Sequence, residues 1–284
     1  MYRSVVESGL GGLVIKRSIH FVSGLPRSGS TLLGALLKQN PRFSAGMSGP
    51  LAGLFTDLLT KMGGSNEFSV FTSDAQRQRI LRGLFENYYA DYTAEVVFDT
   101  NRAWCARMPA LSRLFPDSRV IACVRHVPWI IDSVERLVRK NVFSPSSIFN
   151  YTLGGTVYTR ANGLASADGL VGYPFDALKE AFYGEHTERL MLVQYETLTS
   201  DPARVLNAIY DFVGEPHFQH DFEHIEFDAE EFDRRAGTPG LHKVRPKVAV
   251  QHRQTILPPD LFRRFENDAF WRDPKNNARG VRIV

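Results

Sequence analysis

One stretch constrains the fold of this chain more than any other: Ile19 to Leu37, IHFVSGLPRSGSTLLGALL. The apolar run Ile19 to Ser23 reads as a strand, Gly24 to Gly29 as a tight turn, and Ser30 to Leu37 as a helix. Such a turn presents the free N–H groups of the first helical turn to whatever lies above them, and the helix dipole favours an anion there. The spacing from Gly24 is G-x-x-x-x-G-S-T, a phosphate loop in which Ser30 stands in place of the usual lysine. The cation inside the loop is instead Arg27.

The rest of the chain alternates between strand and helix patterns. Asn40-Pro41 stops the first helix, and Phe43 to Gly53 is small and glycine-rich. Helical spacing returns at Leu54 to Met62 and at Asp74 to Tyr92, with Ser73 as the N-cap of the second segment. Glu95 to Asp99 and Arg119 to Val124 read as further strands, Pro109 to Leu114 and Pro128 to Lys140 as helices, and Leu190 to Gln194 as a strand between the helices Pro174–Tyr183 and Pro202–Val213. The tail Leu257 to Trp271 has amphipathic helical spacing. This alternation predicts an α/β fold: a P-loop-like, three-layer αβα arrangement with a mainly parallel central sheet, in one domain over residues 1–284. In such sheets ligands bind beyond the carboxyl ends of the strands. Gly24–Thr31, Asp99 and Arg125 are all expected at that end. The serine-, glycine- and aromatic-rich residues 141–172 are expected to form a lid or substrate loop.

Composition narrows the class of ligand. Lys and Arg number 34 against 31 Asp and Glu, a formal net charge of +3. That is too mild to argue for nucleic acid but suits an anionic small molecule. The two cysteines, Cys105 and Cys123, have neither metal spacing nor a disulfide framework, and no metal site is expected. Residues 1–17 lack the apolar core of a secretory signal and are expected to be a flexible leader. No apolar run approaches the roughly 18 residues that span a membrane. A soluble, cytoplasmic protein is expected, with homodimerisation left open.

Pro26-Arg27-Ser28-Gly29-Ser30-Thr31-Leu32 resembles the 5′-phosphosulfate loop of sulfotransferases that use 3′-phosphoadenosine-5′-phosphosulfate (PAPS). Val124-Arg125, with Ser133 eight residues after the arginine, resembles their 3′-phosphate motif. The run Ser112 to Pro116 and the pair Tyr195-Glu196 look most like the tyrosylprotein sulfotransferases and their bacterial relatives, over roughly residues 19–250. The resemblance implies transfer of a sulfuryl group from PAPS to a hydroxyl acceptor, leaving 3′,5′-bisphosphoadenosine. Arg27, Ser28, Gly29, Ser30 and Thr31 would hold the phosphosulfate, and Arg125 and Ser133 the 3′-phosphate. Tyr195 matches a nucleotide-contacting tyrosine, and Lys243, with Arg245 nearby, falls where a basic loop closes over the nucleotide.

The pattern breaks at the proton acceptor. In the tyrosylprotein branch a glutamate about twenty residues after the loop arginine takes the acceptor proton, whereas Gly46 to Pro50 here contains no carboxylate. Asp99 at a strand end is the first candidate base and His126 the second, with Arg102 a candidate for the sulfate or an anionic acceptor. Two other readings stay open: a P-loop kinase with Asp99 holding Mg²⁺, and a nucleotide-binding module without catalysis.

Overall fold

Strand β1 (Ser18–Gly24) lies inside the sheet and is buried along most of its length, because parallel strands covered on both faces tolerate few polar side chains. In the computed structural model it is flanked by β3 (Val96–Thr100) and β4 (Val120–Val124); β2 (Phe43–Ala45) adds to β3, and β5 (Leu190–Gln194) and β6 (Arg282–Ile283) add to β4. The six-stranded order is β2-β3-β1-β4-β5-β6 with every pairing parallel. The structure describes residues 17–64, 66–143 and 155–284, and a two-residue antiparallel ribbon, Val6–Glu7 with Leu13–Val14. Most of the expected leader and residues 144–154 of the expected lid lie outside the described residues.

Alternation along the strands builds two cores. Phe21, Val97, Ala122 and Leu192 face one way, onto α2 (Leu51–Lys61), α3 (Asp74–Tyr88), α4 (Met108–Leu114), α5 (Val127–Lys140) and α7 (Gly172–Tyr183). Val22, Phe98, Ile121, Cys123 and Val193 face the other way, onto α1 (Ser30–Leu37) and α9 (Pro202–Val213). Phe21 anchors the first core, with Trp104, Phe85 and Phe115 at ring distances of 5.1, 5.8 and 5.9 Å. From β1 the chain leaves toward β2 and β3, whereas from β4 it leaves toward β5. The direction therefore reverses between β1 and β4, and a crevice opens there above their carboxyl ends.

Several local expectations hold in detail. Ser73 caps α3 in a reciprocal pair with Gln76, and Pro128 sits in the first turn of α5. Others need correction. The glycine-rich stretch after α1 contains the edge strand β2, too short for its pattern to stand out. Within the segment read as irregular, α6 (Val157–Ala165) is capped by Thr156 and buries Ala161 and Leu164. The tail forms only a short helix, Pro259–Arg264, before chain reversals lead to β6. No helix among the described residues is long and apolar enough to cross a membrane.

Gly24 ends β1 at φ +99°, and a Cβ there would lie 2.2 Å from the carbonyl oxygen of Cys123 on β4. Gly24→Ala is expected to destabilise the protein by about 3 kcal/mol, through backbone strain and steric clash. Gly214→Ala, at φ +74° with no atom within 4 Å of the added methyl, should lose only about 1 kcal/mol in the same denaturation series.

His20 gives the sheet a pH dependence. It is buried on β1, Nδ1 accepts the backbone N–H of Arg119 at 3.1 Å, and burial above all, with Arg119 second, pulls its pKa from 6.5 to about 4. A depressed folded pKa means the neutral imidazole's contribution is complete above the unfolded value of 6.5 and drains away as pH falls toward 4. Urea titrations should therefore show up to about 3 kcal/mol less stability across that window from this group. His20→Asn, which keeps an acceptor for Arg119, should flatten that part of the curve.

Candidate active site

The β1–α1 loop holds its shape through backbone constraints. Leu25 N–H donates to the Cys123 carbonyl at 2.8 Å, so the loop rises directly over β4. Arg27 has φ 58°, and it is the single non-glycine residue with positive φ among the described residues. A side chain held in that region stores about 1–2 kcal/mol of strain, a common property of ligand-binding turns. Gly29, at φ +93°, caps α1 without a side-chain contact. A Cβ at Gly29 would sit 2.9 Å from the Tyr195 ring, so only glycine lets that tyrosine lie against the loop. Tyr195 opens α8 (Tyr195–Ser200), and its other neighbour is the Arg125 guanidinium, 4.1 Å from the ring centroid.

The arginines interlock. Arg27 Nε donates to Ser133 Oγ on α5 at 3.1 Å, and its Nη1 donates to the Leu241 carbonyl in the C-terminal segment. Arg125 Nη1 donates to the Arg27 carbonyl at 3.2 Å. Asp132, beside Ser133 and fully buried, accepts from Arg253 at 2.8 Å, Arg136 at 2.9 Å, Thr255 Oγ1 at 3.1 Å and Ile256 N–H at 2.8 Å. One carboxylate thus ties the C-terminal segment onto α5 and aims Arg253 at the crevice.

These side chains surround a cavity of about 460 Å³. Its described lining includes Arg27, Arg102, Arg125, Arg245 and Arg253, with Lys243 and Lys247, and no aspartate or glutamate. Burial lowers the pKa of Arg27, Arg102, Arg125 and Arg253, and for Arg27 the neighbouring Arg125 adds to it, giving about 10. Arg102 makes no side-chain hydrogen bond or ion pair with the described residues. Apart from Arg253 on Asp132 and the exposed Lys247 on Glu223, the lining cations have no carboxylate partner among the described residues, and Arg27, Arg102 and Arg125 are desolvated as well. An anion is the group that would relieve that charge.

The sequence-derived candidates divide clearly. Arg27, Gly29, Ser30, Thr31, Arg102, Arg125, Ser133, Tyr195, Lys243 and Arg245 all line the cavity. Ser28 belongs to the loop, but its side chain is wholly buried and its hydroxyl donates back to Pro26 at 3.3 Å, leaving its backbone N–H to serve a ligand. Ser48 stands at the cavity edge in the Gly46–Pro50 segment, which hydrogen-bonds to the end of β3 through Gly49 and Thr100, 3.0 Å apart. That segment reaches the site without bringing a carboxylate.

Asp99 is a correction. β3 runs one residue further than its sequence pattern suggests, and Thr100 takes the cavity-facing place. Asp99 points to the opposite face, 2% exposed, where Oδ2 accepts from Tyr89 at 2.5 Å and Oδ1 from Trp104 Nε1 at 2.7 Å. Burial raises its pKa despite those two donors. Both oxygens are occupied and neither meets the cavity, which fits neither a proton acceptor nor a Mg²⁺ ligand there. His126 is likewise directed away: Nε2 contacts the Glu266 carbonyl at 2.8 Å and the ring faces Phe262.

Sequence reasoning passed over Asp132, Arg253 and His242. Asp132 sits beside Ser133 on α5, but its partners Arg253, Thr255 and Ile256 are remote in the chain, and Arg253 and His242 lie in a segment without periodicity or motif.

A parallel α/β sheet with a phosphate-type loop at its switch point and a cation-lined cavity defines a transferase-like, anion-binding class of fold. Residues 20–220 match the family model described as "Sulfotransferase family", and the chain belongs to that family of transferase enzymes. No curated protein is significantly similar in sequence. The crystal structure of a sulfotransferase from Alicyclobacillus acidocaldarius shares the fold at TM-score 0.52 and 13% identity, over 95% of this chain and 98% of that one. The sulfotransferase domain of the Synechococcus PCC 7002 olefin synthase aligns at TM-score 0.46 and 18% identity, over 89% of each chain. That of the curacin biosynthetic pathway aligns at 0.48 and 18%, over 71% of this chain and 75% of that one.

Asp99→Ala, which strands the buried Tyr89 and Trp104 donors, is expected to lower the unfolding free energy by about 2–4 kcal/mol. Asp99→Asn should lower it much less, and activity in both should follow the folded fraction. A fully folded but inactive Asp99→Asn enzyme would return this residue to the chemistry.

Proposed function

We propose that this sulfotransferase takes its sulfuryl group from 3′-phosphoadenosine-5′-phosphosulfate and passes it by in-line displacement to a hydroxyl-bearing acceptor. The observation that carries the reading is the cavity lining: five arginines and two lysines, with no carboxylate among the described residues. A donor with a phosphosulfate and a separate 3′-phosphate supplies anionic groups that such a lining suits.

In this reading the N–H groups of Ser28 to Thr31 and the Arg27 guanidinium receive the phosphosulfate. Arg27 also meets charge developing on the leaving phosphate oxygen. Arg125 holds the 3′-phosphate with Ser133, while Tyr195 braces Arg125 from below and Lys243 closes the basic rim. Charge stabilisation and positioning do the catalytic work. The P-loop kinase alternative needs a carboxylate at the crevice to hold Mg²⁺, and Asp99 faces the opposite side of the sheet. The buried, unpaired thiols of Cys105 and Cys123 suit a reducing, cytoplasmic setting.

Thermal denaturation with added nucleotide tests the donor. At about 100 times its Kd, bisphosphoadenosine should stabilise the protein by about 2.7 kcal/mol, or about 5–10 °C in Tm. ADP, without the 3′-phosphate, should give much less, and Arg125→Ala should remove most of the difference. Equal shifts with ADP and bisphosphoadenosine would sink the 3′-phosphate assignment.

A further inference from the structure

Among the described residues that line the cavity, one side chain is an imidazole: His242. It lies in the C-terminal segment, directly after Leu241, whose carbonyl accepts from the Arg27 guanidinium. The segment thus delivers this imidazole next to the loop cation. Asp233, at 3% side-chain exposure, turns both oxygens to His242: Oδ1 meets Nδ1 at 2.6 Å and Oδ2 accepts the backbone N–H at 2.8 Å. Asp233 is itself fixed, its N–H donating to Ala229 at 2.9 Å and its carbonyl accepting Thr238 N–H at 2.8 Å. Phe232 meets the imidazole edge-on with ring centres 5.5 Å apart, which limits its rotation.

We infer that Asp233 and His242 form the acid–base pair of this enzyme, with His242 Nε2 as the atom that takes the proton from the acceptor hydroxyl. The inference rests on the sulfuryl-transfer reading above. The carboxylate accepts the proton-bearing Nδ1, which sets the tautomer and leaves the Nε2 lone pair free, the same logic by which a buried aspartate orients a catalytic histidine elsewhere. No partner for Nε2 occurs among the described residues. As the acceptor oxygen bonds to sulfur, its proton passes to Nε2. The bond between sulfur and the bridging phosphate oxygen breaks, and bisphosphoadenosine leaves with that electron pair. The imidazolium is stabilised by Asp233 and returns its proton to solvent.

A purely structural pair would hold the C-terminal segment in place and nothing more, and His242→Asn separates the two roles. Its amide can still donate toward Asp233 from about the place of Nδ1, but it has no atom equivalent to Nε2. The probes are labelled PAPS with a graded series of acceptors, from 4-nitrophenol through 4-methylphenol to an alkyl alcohol and water, alongside melting curves with bisphosphoadenosine. The expected result is an unchanged bisphosphoadenosine shift and a loss of about 100-fold or more on the weakly acidic acceptors. The loss on 4-nitrophenol, already largely ionised, should be far smaller, and added imidazole should restore part of the lost rate in His242→Ala. The inference is overturned if His242→Asn keeps the wild-type rate on weakly acidic acceptors. It is also overturned if rates on all acceptors fall equally together with the bisphosphoadenosine shift. Failure of the transfer reading looks different: a wild-type protein that moves no sulfuryl group to any acceptor, which removes the reading and the pair together.

Discussion

Buried like charge is the constraint that organises this molecule. Five guanidinium groups and two ammonium groups border one cavity whose described lining has no carboxylate. Arg27, Arg102, Arg125 and Arg253 lose hydration by being there, and the like charges repel one another. The fold keeps acids out of the cavity lining and holds the two central arginines, Arg27 and Arg125, with neutral partners. Ser133 and the Leu241 carbonyl hold Arg27, and the Tyr195 ring braces Arg125. Two carboxylates outside the lining do engage members of the set: Asp132, fully buried behind the cavity wall, steers Arg253, and Glu223 pairs with Lys247 at the exposed rim. An arrangement of this kind is poorly compensated when empty and well compensated with a polyanion in place, so binding relieves a tension that the scaffold maintains.

The sheet makes that tension mechanically tolerable. Gly24 permits β1 and β4 to approach until a methyl group would collide with the Cys123 carbonyl, and the loop is then pinned by Leu25 to the same atom. Arg125 follows β4 immediately, so two cations enter the crevice from strands that are locked side by side. Flexible carriers would let mutual repulsion splay them outward. Rigid ones keep the charges where a ligand needs them, at the expense of the strained Arg27 backbone.

How much of this could be read before the fold was known depended on whether the signal was local. The loop from Gly24 to Thr31 is contiguous, and strand, turn and helix each announce themselves through composition and spacing. Arg125 and Ser133 sit on one strand–helix junction, so their spacing carried over directly. Asp99 was misplaced because alternate strand residues face opposite sides. Ending β3 at Asp99 rather than Thr100 put the carboxylate in the crevice instead of against Trp104 and Tyr89. The edge strand β2 and the helix α6 were hidden by glycine and polar residues around only a few apolar positions. His242 and Asp233 were out of reach for a different reason. They meet across a reversal in a segment with no periodicity, and neither residue has meaning without the other.

The serine at the lysine position of the loop gains its sense from these distant parts. A phosphate loop with an internal lysine carries its main cation on the helix, in reach of a terminal phosphate. Here the helix begins with Ser30 and Thr31, and the cation is Arg27, on the turn itself and turned toward α5 and the C-terminal segment. Charge is therefore placed where three separate elements converge, rather than along the helix axis. Completing that site requires the C-terminal segment, since Leu241 holds Arg27 and the next residue brings the one histidine among the described lining residues. The loop alone could bind an anion. Specific chemistry on that anion depends on a segment more than two hundred residues later being held against α5 by Asp132.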